Sequence, residues 1–277
     1  MKLTIGFSPC PNDTFMFYGL INKKIDTYGL EFKPLIKDVE ELNRKALNAE
    51  PDITKMSFAT FFRVSDRYDI LDSGAALGNN CGPLLIGLRN NYSEAETAQL
   101  KVAIPGEYTT ANFLLSFAFP EIKRKVPMIF SEVEQAVLNQ KTDIGVIIHE
   151  NRFTYQQKGL KKIADLGEIW EQKTGLPIPL GGIAVKKNLP FDIKQKMNKA
   201  LSNSVLHAFQ NKDETMPFVR QYAQEMQDDV MQNYIHLYVN NYSVSLGQKG
   251  RKALEKMHLV MSEAGIIEKD KEFNIIR

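Results

Sequence analysis

A short repeat restricts the folds open to this chain. Leu47-Asn48-Ala49-Glu50-Pro51-Asp52-Ile53 and Leu138-Asn139-Gln140-Lys141-Thr142-Asp143-Ile144 share the pattern L-N-x-x-x-D-I, each where a helical pattern runs into an apolar stretch. Around both copies, apolar runs of strand length alternate with segments of helical spacing, the mark of an α/β fold with a mainly parallel sheet. The first series predicts strands at 3–7, 30–36 and 52–56, and helices at 12–24, 38–49 and 57–65, with Asp38 as an N-cap. The second predicts strands at 101–104, 128–130 and 143–148, and helices from about Thr109 and at 132–140. Val39-Glu40 and Val133-Glu134 stand near the starts of corresponding helices. Such self-similarity argues for two lobes of similar structure; one large α/β sheet is the alternative.

The 277 residues exceed the usual domain size of roughly 100–150, which also favours two lobes. Gly82-Pro83-Leu84-Leu85-Ile86-Gly87-Leu88 and Gly181-Gly182-Ile183-Ala184-Val185-Lys186 are short apolar strands bracketed by glycine or proline, suited to carry the chain out and back. Paired as crossing strands they would form a hinge on which two lobes close over a ligand. The expected division is a larger lobe of 1–88 with 187–277 and a smaller one of 89–186, hinge strands included. Beyond Pro190 the pattern is helical. Ile193, Met197, Leu201, Val205 and Phe209 recur every four residues and should dock one helix face on the first lobe. A further helix is expected at 246–264, and the Lys/Glu-rich tail after it reads as solvated surface.

Thirty-five basic against 33 acidic residues leave a charge of +2, without the basic excess that a nucleic-acid partner demands. Pro9 and Pro11 interrupt the N-terminus before any signal-peptide-length run, and nothing later approaches the ~20 apolar residues of a membrane span, so a cytoplasmic location and no membrane partner are expected. Cys10 and Cys81 form no C-x-x-C pair, and His149, His207, His236 and His258 are widely separated. Neither a disulfide framework nor a metal site is therefore expected.

Ligands of open parallel sheets bind outside the carboxyl ends of the strands, which points to four segments. Ser8-Pro9-Cys10-Pro11-Asn12-Asp13-Thr14-Phe15 follows the first strand; its prolines stiffen the loop, and Asn12, Asp13 and Thr14 offer capping oxygens, though a well-capped helix start explains it equally. Thr54-Lys55-Met56-Ser57 joins a strand end to a helix start, suits an anion, and gains a positive charge from Lys55 unless that lysine is plain surface. In Gly106-Glu107-Tyr108-Thr109-Thr110, two hydroxyls meet a helix N-terminus and could hold both oxygens of a carboxylate, where capping needs only one. Ile144-Gly145-Val146-Ile147-Ile148-His149-Glu150 reads as a buried strand ending in histidine, either a rim residue or a group that exchanges a proton near neutral pH. His149 and Lys55–Ser57 fall at nearly corresponding strand ends of the repeat, so opposed lobes would bring them to one ligand.

The 8–15 run, taken with 145–150, resembles the 1,4-dihydroxy-6-naphthoate synthases of the futalosine route to menaquinone; Lys55-Met56-Ser57, Thr109-Thr110 and Gly181-Gly182 also match, in order. The resemblance spans the whole chain. It implies a type II periplasmic-binding-protein-like fold, two α/β lobes with a two-strand hinge and C-terminal helices. It also implies a cofactor-independent carbon-carbon lyase that converts cyclic dehypoxanthine futalosine, a small-molecule carboxylate, to the naphthoate. On that resemblance His149 is the proton acceptor, Lys55, Met56, Ser57, Thr109 and Thr110 bind substrate, and Ser8, Asn12, Asp13 and Thr14 belong to a cleft loop. The chorismate dehydratase of the same pathway and a transport-type solute-binding protein share the architecture and stand as alternatives. The roles of Cys10 and Glu150 and the question of a homodimer stay open.

Overall fold

The computed structural model describes residues 1–223 and 227–277. It divides into two compact units, Met1–Gly78 with Pro179–Arg277, and Asn79–Ile178. The chain lays down β1 (Lys2–Phe7), β2 (Glu31–Ile36), β3 (Ile53–Ser57), β4 (Tyr68–Leu71) and β5 (Ala76–Gly78) in the larger unit. It then builds β6 (Leu84–Gly87), β7 (Lys101–Ile104), β8 (Arg124–Pro127), β9 (Ile144–Ile147) and β10 (Lys161–Asp165) in the smaller. β11 (Ile178–Lys186) and β12 (Ile275–Ile276) complete the larger sheet.

The larger sheet runs β12-β4-β11-β3-β1-β2, with β5 paired to β11, and the smaller runs β10-β6-β9-β7-β8. In each, a parallel trio is followed by an antiparallel strand: β11 beside β3, and β6 beside β9. The sheets are thus mixed where mainly parallel ones were expected. The two segments expected to form a hinge lie within these sheets. Each is an interior strand of its own sheet, β6 between β9 and β10 and β11 between β3 and β4. That position, buried on both faces, accounts for their unbroken apolar character.

The repeat has a backbone counterpart. Helices Val39–Leu47 and Val133–Leu138 end at Asn48 and Asn139, and the next residues, Ala49 (φ 53°) and Gln140 (φ 55°), are both left-handed. Such a residue stops a helix and turns the chain toward the following strand. The repeated aspartates then do one job: Asp52 Oδ2 accepts from Thr4 N at 2.9 Å and Asp143 Oδ2 from Lys101 N at 2.6 Å, each pinning the neighbouring parallel strand.

Helix Pro11–Ile21 starts with proline at its first turn and is buried on nearly every side, as its apolar composition requires. It packs between β1 and helix Phe191–Gln210, whose Met197, Leu201 and Val205 are fully buried, while Ile193 and Phe209 are half-buried at the ends of the stripe. Ser204 Oγ joins the two helices, donating to Met16 O and accepting from Leu20 N. In the smaller unit Leu84, Ile86, Ala103, Val133, Val137 and Ile147 form the core.

Two expectations are corrected. The strand placed at 128–130 is Arg124–Pro127, an edge strand whose half-exposed face carries charge, while Phe130–Glu132 forms a 3-10 turn. The charged tail is not simply solvated, because Ile276 is buried and β12 pairs with β4, with Phe273 packed on Phe61 and Phe62. Among the described residues no helix is long and apolar enough to cross a membrane.

Candidate active site

In the larger unit the loop after β1 wraps around one carboxylate. Asp13 Oδ2 accepts from the Ser8 amide (3.1 Å) and hydroxyl (2.7 Å), and Oδ1 accepts from Asn12 Nδ2 (3.1 Å). Lys55, reaching in from the adjacent β3, places Nζ 2.8 Å from Asp13 Oδ1. Thr14 turns its hydroxyl to the Cys10 carbonyl and closes the first helical turn. Ser8, Asn12, Asp13 and Lys55 therefore form one buried polar cluster. The positive charge expected to stand open to an anion is paired within it.

Ser57 ends β3 without capping the short helix that follows. Instead its amide donates to Asn43 Oδ1 (2.9 Å) and its hydroxyl accepts from Asn43 Nδ2 (3.1 Å). Asn43, from helix Val39–Leu47, was not singled out from the sequence; it sits among the apolar core-facing positions of that helix, and a buried polar residue there was the available signal. Met56 is fully buried, so its side chain is core, and β11 crosses close behind it: a Cβ on Gly181 would lie 2.8 Å from the Met56 carbonyl oxygen. Glycine is required at that crossing.

In the smaller unit Thr109 and Thr110 divide the work expected of both. Thr109 is the N-cap of helix Thr110–Ala118; its hydroxyl accepts from Asn112 N and donates to Gly106 O. Thr110 opens the helix, where the positive end of the dipole lies. Both threonines are buried.

His149 stands just past β9, half-buried, with φ 58°. The left-handed turn ends the strand and leads into the short helix Asn151–Thr154, whose Arg152 amide donates back to His149 O. The Phe130 ring meets the imidazole edge to face, centroids 4.7 Å apart. Beneath the strand, Gly145 lets helix Val133–Leu138 approach; a Cβ there would meet Val133 Cγ1 at 2.6 Å. That helix brings in Glu134, a buried carboxylate whose Oε2 accepts from Asn151 Nδ2 (2.9 Å) and Lys158 Nζ (2.6 Å). The sequence reading noted Glu134 only as part of the Val-Glu repeat and did not single out Asn151. Glu150 is buried at the same turn.

A half-buried imidazole on a fixed turn, packed against a buried phenyl ring, has the chemistry to accept a proton. Thr110 at a helix N-terminus suits a carboxylate. Among the described residues no three His, Cys, Asp or Glu side chains gather as metal ligands.

The chain matches a protein family described as menaquinone biosynthesis over residues 3–263. It is 38% identical over 264 residues to the 1,4-dihydroxy-6-naphthoate synthase of Thermus thermophilus, an alignment that takes in 95% of both chains. Among solved structures, protein AF1704 from Archaeoglobus fulgidus superposes with a TM-score of 0.90 at 33% identity, covering 96% of this chain and 98% of that one. A Candida albicans gene product described as having the generic periplasmic binding protein fold gives a TM-score of 0.67 at 13% identity, with coverage of 94% and 90%. The fold is therefore periplasmic-binding-protein-like, as the motifs implied.

Proposed function

Because this chain belongs to the menaquinone biosynthesis family, we propose that it is a carbon-carbon lyase that converts cyclic dehypoxanthine futalosine to 1,4-dihydroxy-6-naphthoate. The observation that carries the reading is His149, held in a left-handed turn at the end of β9 with Phe130 against its ring. It is the general base. Neutral imidazole removes a proton from the spirocyclic sugar portion, the electron pair moves to break the carbon-carbon bond, and the second ring becomes aromatic as the sugar fragment leaves. Such a step is a proton transfer and an elimination without net redox change, so an oriented base and stabilised charge suffice, and no cofactor is called for.

Thr110 and the amides at the start of helix Thr110–Ala118 take the substrate carboxylate, supported by the helix dipole. Thr109 shapes that N-terminus through its cap. Ser57, Lys55 and the Met56 backbone bind a second part of the substrate, with Lys55 acting as half of a neutral pair with Asp13 rather than as a lone cation. The loop Ser8, Asn12, Asp13 and Thr14 keeps that pair in place. Neither Cys10 nor Cys81 is in a disulfide, which fits work in the reducing cytoplasm.

Purified protein incubated with cyclic dehypoxanthine futalosine, and separately with chorismate, tests the reading. Release of 1,4-dihydroxy-6-naphthoate from the first and no reaction with the second is the expected outcome. Turnover of chorismate alone would identify the dehydratase, and binding without turnover would identify a solute-binding protein.

A further inference from the structure

We propose that Glu134, acting through Asn151, is a positioning residue for the His149 turn, an inference that rests on the reading of His149 as the base. A residue with a side chain adopts φ 58° at an energetic cost, and such a conformation persists only where its surroundings hold it. Asn151, two residues on, makes a buried hydrogen bond outside the turn, and its partner is Glu134 Oε2 at 2.9 Å. Glu134 is only 3% exposed and leaves Oε1 buried without a hydrogen bond. Burying a carboxylate in this way is costly, and Lys158 Nζ at 2.6 Å offsets only part of the cost, since that lysine is itself half in solvent. Core packing alone would place an apolar residue here. Phe130, one helical turn before Glu134, touches the imidazole itself, so one segment meets the turn at both His149 and Asn151.

The larger unit contains a related arrangement. Glu40 is the second residue of helix Val39–Leu47, as Glu134 is of helix Val133–Leu138. Its Oε2 accepts from Asn43 Nδ2 at 3.4 Å, and Asn43 in turn holds the amide and hydroxyl of Ser57 at the end of β3. In both units a helix-start glutamate reaches, by way of an asparagine amide, the point where a strand gives up a candidate site residue. The glutamates share the second helix position, whereas Asn43 lies in the helix of Glu40 and Asn151 lies beyond the following strand. In both units a polar side chain of the helix bonds to the segment at the strand end, which argues for a role there.

The test compares Asn151→Ala, Glu134→Ala and Glu134→Gln with His149→Asn in the naphthoate-forming assay. Asn151→Ala and Glu134→Ala should each lower kcat about 10- to 100-fold with KM within about threefold, since a base moved off line loses rate rather than substrate. Amide exchange at 148–152 should quicken in both. Glu134→Gln should retain most of the rate, because its amide oxygen still accepts from Asn151. A kcat within about twofold of the parent in both alanine variants, whatever their melting temperatures, overturns the proposal. If Glu134→Ala does not fold, Asn151→Ala decides, as it keeps the Glu134–Lys158 pair. An inactive His149→Asn beside a fully active Asn151→Ala would remove the positioning role alone, whereas an active His149→Asn would remove the base itself.

Discussion

Lys55 Nζ lies 2.8 Å from Asp13 Oδ1, with the two side chains 7% and 1% exposed. The pair joins the loop after β1 to β3, and its aspartate is further held by Ser8 and Asn12. Removing one member leaves the other charge buried and uncompensated. Lys55→Met or Asp13→Asn alone should therefore cost about 3–5 kcal/mol in chemical denaturation followed by circular dichroism, and the double replacement less than the sum of the two. Additive losses would show that the two charges do not depend on each other.

His149→Asn should abolish naphthoate formation while leaving substrate affinity within about tenfold, because a general base contributes to the transition state far more than to ground-state binding. Calorimetric titration of the variant with cyclic dehypoxanthine futalosine measures the second quantity independently of turnover.

The two threonines should separate. Thr109→Val removes a cap and is expected to lower stability by about 1 kcal/mol. Thr110→Val should raise KM about 10- to 100-fold, the equivalent of losing a hydrogen bond to a charged group at about 1.5–3 kcal/mol, with a smaller change in melting temperature. Paired thermal melts and steady-state kinetics on the two variants would expose the reverse assignment.

Asp52 links stability to pH. Partial burial pulls its carboxyl up, but the Thr4 amide, the Thr4 hydroxyl and Lys186 together outweigh burial, and it titrates below the ordinary carboxylate range. A depressed pKa in the folded state contributes stability above the unfolded value of about 3.9 and loses it as pH falls through the folded value. Asp52→Asn should therefore be less stable than the parent at pH 6, with the difference shrinking below about pH 4. A gap that stays constant down to pH 2.5 would mean that the carboxylate charge is not what pins β1.

Much of the architecture was legible in short stretches. The L-N-x-x-x-D-I repeat marked two helix ends that adopt the same left-handed stop, Ala49 and Gln140, and two aspartates with the same strand-pinning bond. Apolar spacing located helix Phe191–Gln210, and the strand-end position of His149 was readable from the run before it. Edge strand β8 was misplaced because its residues face solvent, and an apolar Met-Ile-Phe run beside it carried the stronger signal.

The sequence by itself determined the elements around the repeat, the repeat itself and the strand-end positions of Ser57 and His149, because helix periodicity, strand alternation and turn chemistry act over a few residues. Tertiary structure decided the partners. Lys55 meets Asp13 across 42 residues, Asn43 reaches Ser57, Glu134 reaches Asn151, and the tail strand returns to β4. Those pairings follow from sheet order, and sheet order is set by long-range burial that no local pattern encodes. Lys55 therefore reads as an open cation in the sequence and as half of a buried ion pair in the fold.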